Sequence, residues 1–432
     1  MVKKNKIVYV PLAVDILHSG HIKILEHSKK YGKVIVGLLT DSAIGEYKQL
    51  PLLNYEERYK IISSIKFIDK IVPQETWDYS KNISKYKPDF FVHGDDWKNG
   101  IQKKYRQKVI LFLKKNNGKL IEIPFTKKIS SEEIENKLNI HFKNDSRVSL
   151  LKRLIDNKKI VRVLESHSAL TGLIIDNLQM GKNNKINEFD AMWSSSLTDS
   201  SLRGKPDNQS VDYSSRFQTL SDIIDVTKKP IIFDADNGGK VEHLKYTTKT
   251  LERLGVSSIV IEDKIGLKKN SLFKDQSNVE QDSISKFSNK IDRISQSRTS
   301  KDFLITARIE SFILGKGLND ALKRANAYSE AGADLILIHS KLNTPNEVFS
   351  FARKFKKSKY YKPVVLVPSS YSKTTETAMV NEGIKVVIYA NQLLRASYKA
   401  MEHVAKKILR NERAFNVEKD ILPIKDIISL IK

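Results

Sequence analysis

The apolar positions of this chain follow two rhythms. From residue 6 to 125, short apolar runs alternate with segments whose apolar residues recur every three or four positions. "KIVYVPL" (6–12), "KVIVGLL" (33–39), "DKIVPQ" (69–74), "DFFVHG" (89–94) and "KLIEIPF" (119–125) read as strands. "GHIKILEHSKKY" (20–31) and "NYEERYKIISSI" (54–65) read as amphipathic helices between them. Apolar strands separated by helices predict a parallel α/β sheet of modest size.

The rhythm breaks over residues 126–157. Ser130 or Ser131, just before Glu132 and Glu133, can cap a helix. The polar run "FKNDSR" (142–147) reads as a linker. The expected division is a first domain over 1–141, a linker over 142–150 and a second domain over 151–432. In the second domain the alternation restarts and runs longer. "KIVRVLES", "FDAMWSS", "PIIFDAD", "SIVIED", "FLITARIE", "DLILIHS", "PVVLVPSS" and "VVIYAN" are eight strand candidates, mostly separated by helical segments. Eight such units predict a (β/α)8 barrel.

Composition fits an ordinary globular protein of two or three domains, with 40% hydrophobic residues, 18 Gly and 11 Pro in 432 residues. The chain enters its first strand almost at once and has no apolar run near the roughly 18 residues of a membrane span, so neither a signal peptide nor a membrane segment is expected. The cytoplasm is the expected compartment. With no cysteine, disulfides, a thiol nucleophile and Cys-ligated zinc are excluded. The net charge of +25 raises the question of nucleic acid. Residues 1–140 hold 26 basic and 16 acidic residues, a net of +10, which leaves +15 for the rest. That even, mostly lysine excess lacks a basic run or an aromatic–basic motif. It reads as a solvated surface around anion sites, with no nucleic-acid partner.

The first candidate chemistry lies in "VDILHSGHIKIL" (14–25), at a strand-to-helix junction. Ligands of open α/β sheets sit at strand carboxyl ends, near helix N-termini. His18 and His21 could there donate hydrogen bonds to phosphate oxygens as charge builds, and Gly20 would let backbone approach a nucleotide. In the barrel, the strand carboxyl ends give Trp193 and Ser195, then Asp234 and Asp236, then Glu262, Arg308 and His339. Polar residues choose one rim while the strand bodies stay apolar, which is where barrel active sites lie. Asp234, Asp236 and Glu262 form an oxygen-rich set suited to Mg²⁺. Arg308 offers a planar fork for a carboxylate or phosphoryl group. "WSSSL" (193–197) supplies hydroxyls and backbone N–H groups for an anion. "EDKIGLKKNSL" (262–272), with Lys264, Lys268 and Lys269, reads as a mobile lid.

Over residues 5–140 the chain resembles the cytidylyltransferase-like nucleotidylyltransferases. The resemblance rests on H-x-G-H with Asp15 before it, "GLLTD" (37–41), Lys48, "YEER" with Arg58, "HGDDW" (93–97) and "ISS" (129–131), in family order. It implies nucleotidyl transfer from a nucleoside triphosphate such as CTP to a phosphorylated acceptor, releasing pyrophosphate. His18 and His21 would stabilise the α-phosphate transition state, and Lys48 and Arg58 would neutralise phosphate charge. Ser130 and Ser131 would hold the β- and γ-phosphates, and Asp15, Gly20, Asp95 and Asp96 complete the implied nucleotide site. Two departures stand out: "LAVD" (12–15) replaces the usual G-T-F-D, and "FTKK" (125–128) lacks the usual arginine, leaving Lys127 or Lys128 to substitute.

Over residues 150–420 the chain resembles phosphoenolpyruvate mutase of the isocitrate lyase superfamily. The motif E-D-K-x-x-x-K-x-N-S matches at Glu262, Asp263, Lys264, Lys268, Asn270 and Ser271, and "WSSSLTDSSLRGKPD" (193–207) ends at Asp207, the place of a family catalytic aspartate. "FDAD", "TARIES" and "LIHSK" match too. The resemblance implies rearrangement of phosphoenolpyruvate to phosphonopyruvate. Trp193, Ser195, Ser196, Leu197 and Ser271 would bind substrate. Asp207, Lys268, Asn270, Arg308 and His339 would be catalytic, and Mg²⁺ would sit near Asp234, with Asp236 and Glu262 in its water shell. Ser196 stands where a glycine is frequent. The lyases of the superfamily need a lid cysteine that this chain lacks; phosphonopyruvate and oxaloacetate hydrolases stay open. The joint expectation is a bifunctional enzyme of phosphonate biosynthesis. Its first domain would pass CMP to 2-hydroxyethyl- or 2-aminoethylphosphonate, or else to an ordinary phosphate such as glycerol 3-phosphate. A homodimer or tetramer through the barrel is expected, with "SYKAMEHVAKKIL" (397–409) available for exchange.

Overall fold

The computed structural model describes residues 6–46, 50–98, 102–124, 144–182, 185–266, 268–273, 275–276 and 278–430. The chain divides into two compact units. One comprises residues 1–146, 152–159 and 178–188; the other comprises 147–151, 160–177 and 189–432.

The first unit is built on β1 (Ile7–Leu12), β2 (Lys33–Leu39), β3 (Lys70–Gln74), β4 (Phe90–Gly94) and β5 (Lys119–Ile123). They form one parallel sheet in the order β3-β2-β1-β4-β5, a Rossmann-like arrangement. Side chains alternate between its faces. Val8, Val10, Val34, Val36 and Val92 pack into one apolar cluster, whereas Tyr9, Ile35, Leu39, Val72 and Phe91 pack into another. Both faces are therefore buried, which is why these strands read as unbroken apolar runs. Tyr9 is wholly buried, and its hydroxyl donates to Gln74 Oε1 at 2.6 Å and accepts from Asn82 Nδ2 at 2.9 Å. A Cβ at Gly37 would stand 2.0 Å from that hydroxyl, so glycine makes the room.

The second unit is the expected eight-stranded parallel barrel. Its staves are β6 (Val161–Glu165), β9 (Ala191–Ser194), β10 (Ile231–Asp234), β11 (Ser258–Glu262), β14 (Leu304–Ile309), β15 (Leu335–Ile338), β16 (Val364–Leu366) and β17 (Ile384–Tyr389). The last pairs with the first and closes the ring. Two short antiparallel pairs fall between these strands in the chain: β7 (Gln179–Lys182) with β8 (Lys185–Glu188), which belongs to the first unit, and β12 (Lys264–Ile265) with β13 (Glu280–Gln281). Among the described residues no helix is long and apolar enough to cross a membrane.

The stretch expected as a linker is mostly helix. Asn144–Asn157 is continuous α-helix. Val148, Leu151, Leu154 and Ile155 are buried along it at helical spacing. The described part of the polar run that suggested a linker, residues 144–147, is the helix's first turn, and the apolar stripe behind it decides the conformation.

Candidate active sites

At the barrel mouth the strand ends deliver the expected polar residues to one cavity of about 60 Å³. Trp193, Ser195, Ser196, Leu197, Asp207, Asp234, Lys268, Asn270, Ser271, Arg308 and His339 all line it. Lys268 comes from the loop after β11, yet it is buried. Its ammonium lies 3.0 Å from Asp207 and 3.9 Å from Asp234, and it hydrogen-bonds Asp236 Oδ1 and Ser196 Oγ. Ser196 Oγ in turn donates to Asp234 Oδ2 at 2.9 Å. Asn270 Nδ2 donates to Asp207 Oδ2 at 2.8 Å. Arg308 donates to Glu310 at 2.6 Å and to Ser271 Oγ at 2.8 Å, and stands 3.4 Å from Glu262.

These are buried charges, so each survives only with a partner. Burial would raise the Asp234 carboxyl; the Lys268, Arg216 and Arg308 cations override it and hold it near 2. Burial pushes Lys268 down, but the carboxylates of Asp234, Asp236 and Asp207 push it higher still, so it stays an ammonium. Glu262 is raised by burial despite Arg308 and Lys264. His339 is lowered to about 4 by burial and by Arg308, so its imidazole is neutral at pH 7. Asp236 occupies left-handed backbone at φ +51°, a conformation tolerated by Asp. Its carbonyl accepts from Glu262 N at 2.7 Å, which ties the ends of β10 and β11 together.

Among the described residues no three His, Cys, Asp or Glu side chains converge as direct metal ligands, which the expected arrangement, one carboxylate at Asp234 with Asp236 and Glu262 reached through water, does not require. The Lys268 ammonium stands among the carboxylates. The donor chemistry still fits a hard cation that keeps several waters. Asp234 is held ionised, and Glu262 Oε2 is buried without a hydrogen-bond donor.

The first unit holds a separate cavity of about 190 Å³, lined by His18, Gly20, His21, Lys23, Trp77, Tyr79, His93 and Gln102 among others, with no carboxylate on its wall among the described residues. His18 caps the helix Ser19–Lys29. Its Nδ1 accepts from Gly20 N at 3.1 Å, and His21 Nδ1 accepts from His18 N at 3.4 Å. The two imidazoles thus form a reciprocal cap. An accepting Nδ1 places the neutral ring's proton on Nε2, so both rings carry an Nε2–H donor. Burial lowers the pKa of His18 and favours this neutral form. A Cβ at Gly20 would lie 2.9 Å from the His18 ring, so glycine keeps the cap possible. His93 stacks on Trp97 at 4.0 Å and 7°. Trp97 Nε1 donates to Glu122 at 2.8 Å, and Arg106 pairs with the same carboxylate at 2.8 and 2.9 Å.

Comparison with known proteins now bears on this geometry. The profile described as "Phosphoenolpyruvate phosphomutase" matches residues 151–409, and "Cytidylyltransferase-like" matches 14–137. The chain belongs to the phosphoenolpyruvate phosphomutase family. It is an enzyme that carries a cytidylyltransferase-like domain ahead of the phosphomutase barrel. A phosphoenolpyruvate phosphomutase of Tetrahymena pyriformis is 33% identical over 298 residues, 69% of this chain and 95% of that protein. A glycerol-3-phosphate cytidylyltransferase of Bacillus subtilis is 31% identical over 126 residues, 29% of this chain and 90% of that one. A crystal structure of phosphonopyruvate hydrolase in complex with oxalate and Mg²⁺ superposes with a TM-score of 0.59 at 29% identity, covering 66% of this chain and 94% of that one.

In the phosphomutase barrel the structure brings the expected residues together and adds supports that sequence reading missed. Glu310, wholly buried, accepts from Arg308 and from Ser271 Oγ at 2.6 Å and lies 3.3 Å from Lys264. It joins the loop after β11 to the end of β14. Arg216 donates to Asp199 at 2.8 Å and to the Asp234 carbonyl at 2.5 Å from inside the wall. "TARIES" held the signal for Glu310; nothing in the periodicity marked Arg216, which sits in an ordinary amphipathic helix. The cytidylyltransferase-like domain departs further from expectation. Asp15 and Asp95 are not on the cavity wall: Asp15 accepts from Leu53 N at 3.2 Å, and Asp95 lies 3.9 Å from Lys98. Arg58 is 0% exposed and bonded to protein on all sides, so it meets no phosphate from where it stands. Lys48, Lys127, Lys128, Ser130, Ser131 and the Asp96 side chain lie outside the described residues.

Two outcomes follow. Glu310→Gln removes the charge that anchors Arg308 and Ser271 and should lower barrel turnover about 100-fold by misplacing both; steady-state kinetics with phosphonopyruvate would read it. Arg106, outweighing partial burial and helped by Trp97, depresses Glu122 from 4.5 to about 2. A carboxylate with a depressed folded pKa stabilises above its unfolded pKa and loses that contribution as pH falls through the folded one. Glu122→Gln should therefore destabilise the first domain at pH 7 and flatten its acid dependence between 4.5 and about 2. Denaturant melts at several pH values check this.

Proposed function

We propose that the barrel interconverts phosphoenolpyruvate and phosphonopyruvate, and that the first domain transfers CMP from CTP to a phosphonate. The observation that supports this most is that Lys268, Asn270 and Ser271, three side chains of one loop, line the barrel cavity, with Lys268 and Ser271 buried in it. They close a water-excluded, cation-rich pocket over the serine strand end. A rearrangement needs that: the P–O bond to the enol oxygen breaks, the P–C bond forms at the methylene carbon, and no water enters. Backbone N–H groups at Ser195–Leu197, with Asn270 and Arg308, hold the phosphoryl group. Lys268 neutralises its oxygens. Asp207, gripped by Asn270 and Lys268, orients it or receives it transiently. Such catalysis is positioning and electrostatics. Asp234, with Asp236 and Glu262 through water, would hold Mg²⁺, which supplies charge stabilisation for the enolate oxygen. His339 stays neutral and adds no competing charge.

In the first domain the Nε2–H groups of His18 and His21 would donate to the α-phosphate as the nucleotidyl group passes to the acceptor oxygen and pyrophosphate leaves. A barrel that makes C–P bonds makes a phosphonate the fitting acceptor. The test uses the purified protein with CTP and Mg²⁺ and follows pyrophosphate. 2-Hydroxyethylphosphonate, 2-aminoethylphosphonate and glycerol 3-phosphate are offered separately. Release with a phosphonate is expected; release only with glycerol 3-phosphate overturns the acceptor. In parallel, ³¹P NMR of phosphonopyruvate should show the phosphate ester of phosphoenolpyruvate; free phosphate and pyruvate would make the barrel a hydrolase. Asp207→Ala should abolish only the barrel reaction and His21→Ala only pyrophosphate release.

Self-association through the barrel is part of the same reading. The helix Gln392–Asn411 has no buried residue, and Tyr398, Met401 and Leu409 are 67%, 60% and 80% exposed. A second copy would cover them. Light scattering should give a dimer or tetramer, and Leu409→Glu with Met401→Glu should shift it toward monomer.

A further inference from the structure

The buried arginine of the first domain has no place in the chemistry described above, although the motif around it suggested one. Arg58 spreads its fork over three elements. Nη2 donates to Asp41 Oδ1 at 2.6 Å, Nη1 to the Ala13 carbonyl at 2.5 Å and Nε to the Leu53 carbonyl at 3.1 Å. Leu53 N is in turn held by Asp15. The guanidinium therefore grips the turn on both sides of Val14, directly at Ala13 and through Leu53 at Asp15.

Val14 is the strained point between them. It is buried and adopts φ +49°, left-handed backbone that a β-branched residue strongly disfavours. Such conformations persist only where the surroundings over-determine them. The turn ends at His18, and Ala13 and His18 both line the cavity. Relaxation of Val14 would swing the histidine cap away from the wall.

We propose that Arg58 is a positioning residue of the nucleotidyl-transfer site, a clamp that holds the Val14 turn in its strained form and so aims His18 and His21 into the cavity. The inference rests on the transferase reading for its kinetic arm only. Arg58→Lys keeps the charge opposite Asp41 but cannot span Ala13 and Leu53 together. It should lower kcat for CTP-dependent pyrophosphate release about 100-fold, the scale of a misplaced catalytic group, with little change in KM for CTP. Glycine adopts positive φ freely, so Val14→Gly in the Arg58→Lys background should restore at least about tenfold, or 1.4 kcal/mol of barrier. A direct phosphate contact predicts the opposite: KM rises, kcat holds and Val14→Gly rescues nothing, and that result overturns the proposal.

The second arm needs no activity. Amide hydrogen exchange should quicken at residues 13–18 in Arg58→Lys while the barrel is unchanged; unchanged exchange there overturns the clamp. If the wild-type protein released no pyrophosphate with any acceptor, the transferase reading would fall and exchange would still decide the clamp. Should Arg58→Lys fail to fold, Asp41→Asn, which leaves Arg58 in place but loosens it, is expected to move both readouts in the same direction by a smaller amount; no movement overturns the clamp.

Discussion

Five buried carboxylates at one end of a closed barrel cannot stand alone. Asp207, Asp234, Asp236, Glu262 and Glu310 converge there, and Lys264, Lys268, Arg216 and Arg308 neutralise them. Two of these cations come from the loop after β11 rather than from the wall. The loop is therefore drawn into the mouth by the same electrostatics that make the mouth suitable for an anionic substrate. The supports behind it follow from the same need. Asp263 accepts from Glu310 N at 2.9 Å, Gln281 at 2.8 Å and Tyr328 at 2.8 Å, so the backbone that carries Glu310 is itself pinned.

The two catalytic centres treat an anion differently. The barrel surrounds it with full charges, each balanced by a carboxylate that fixes its position. The first domain offers imidazole N–H groups at a helix start, on a wall with no carboxylate among the described residues. In the proposed rearrangement, a loose phosphoryl group that must be recaptured would be well served by a dense ionic cage. In the proposed nucleotidyl transfer, a triphosphate that must enter and a pyrophosphate that must leave would be better served by weaker, oriented donors.

Much of this was legible in the sequence, for a physical reason. Strand ends in a parallel barrel share one rim, so reading Trp193, Asp234, Glu262, Arg308 and His339 off successive strands already assembles the site. The lid motif worked likewise, because Lys268, Asn270 and Ser271 are close in sequence. Contacts set by tertiary packing were not legible. Arg58 sits in a motif that pointed to phosphate, yet its helix buries it. Arg216 lies in a helix with no local mark of its partners. The helix Asn144–Asn157 was hidden by a polar first turn, although its buried stripe of Val148, Leu151, Leu154 and Ile155 was present in the pattern. The contact of the Lys268 ammonium with Asp207, Asp234 and Asp236 was not legible either, because it depends on how the loop after β11 folds back over β10.

The histidine cap carries a consequence for replacement chemistry. His18 and His21 each spend Nδ1 on the backbone, which leaves the neutral ring's proton on Nε2. Lysine could donate but could not accept the backbone N–H. A protonated imidazole donates from both nitrogens and can no longer accept. Protonation of either ring would therefore cost that ring's hydrogen bond to the helix start while its Nε2–H went on donating, so acid acts first on the cap and only through it on the aim of the donors.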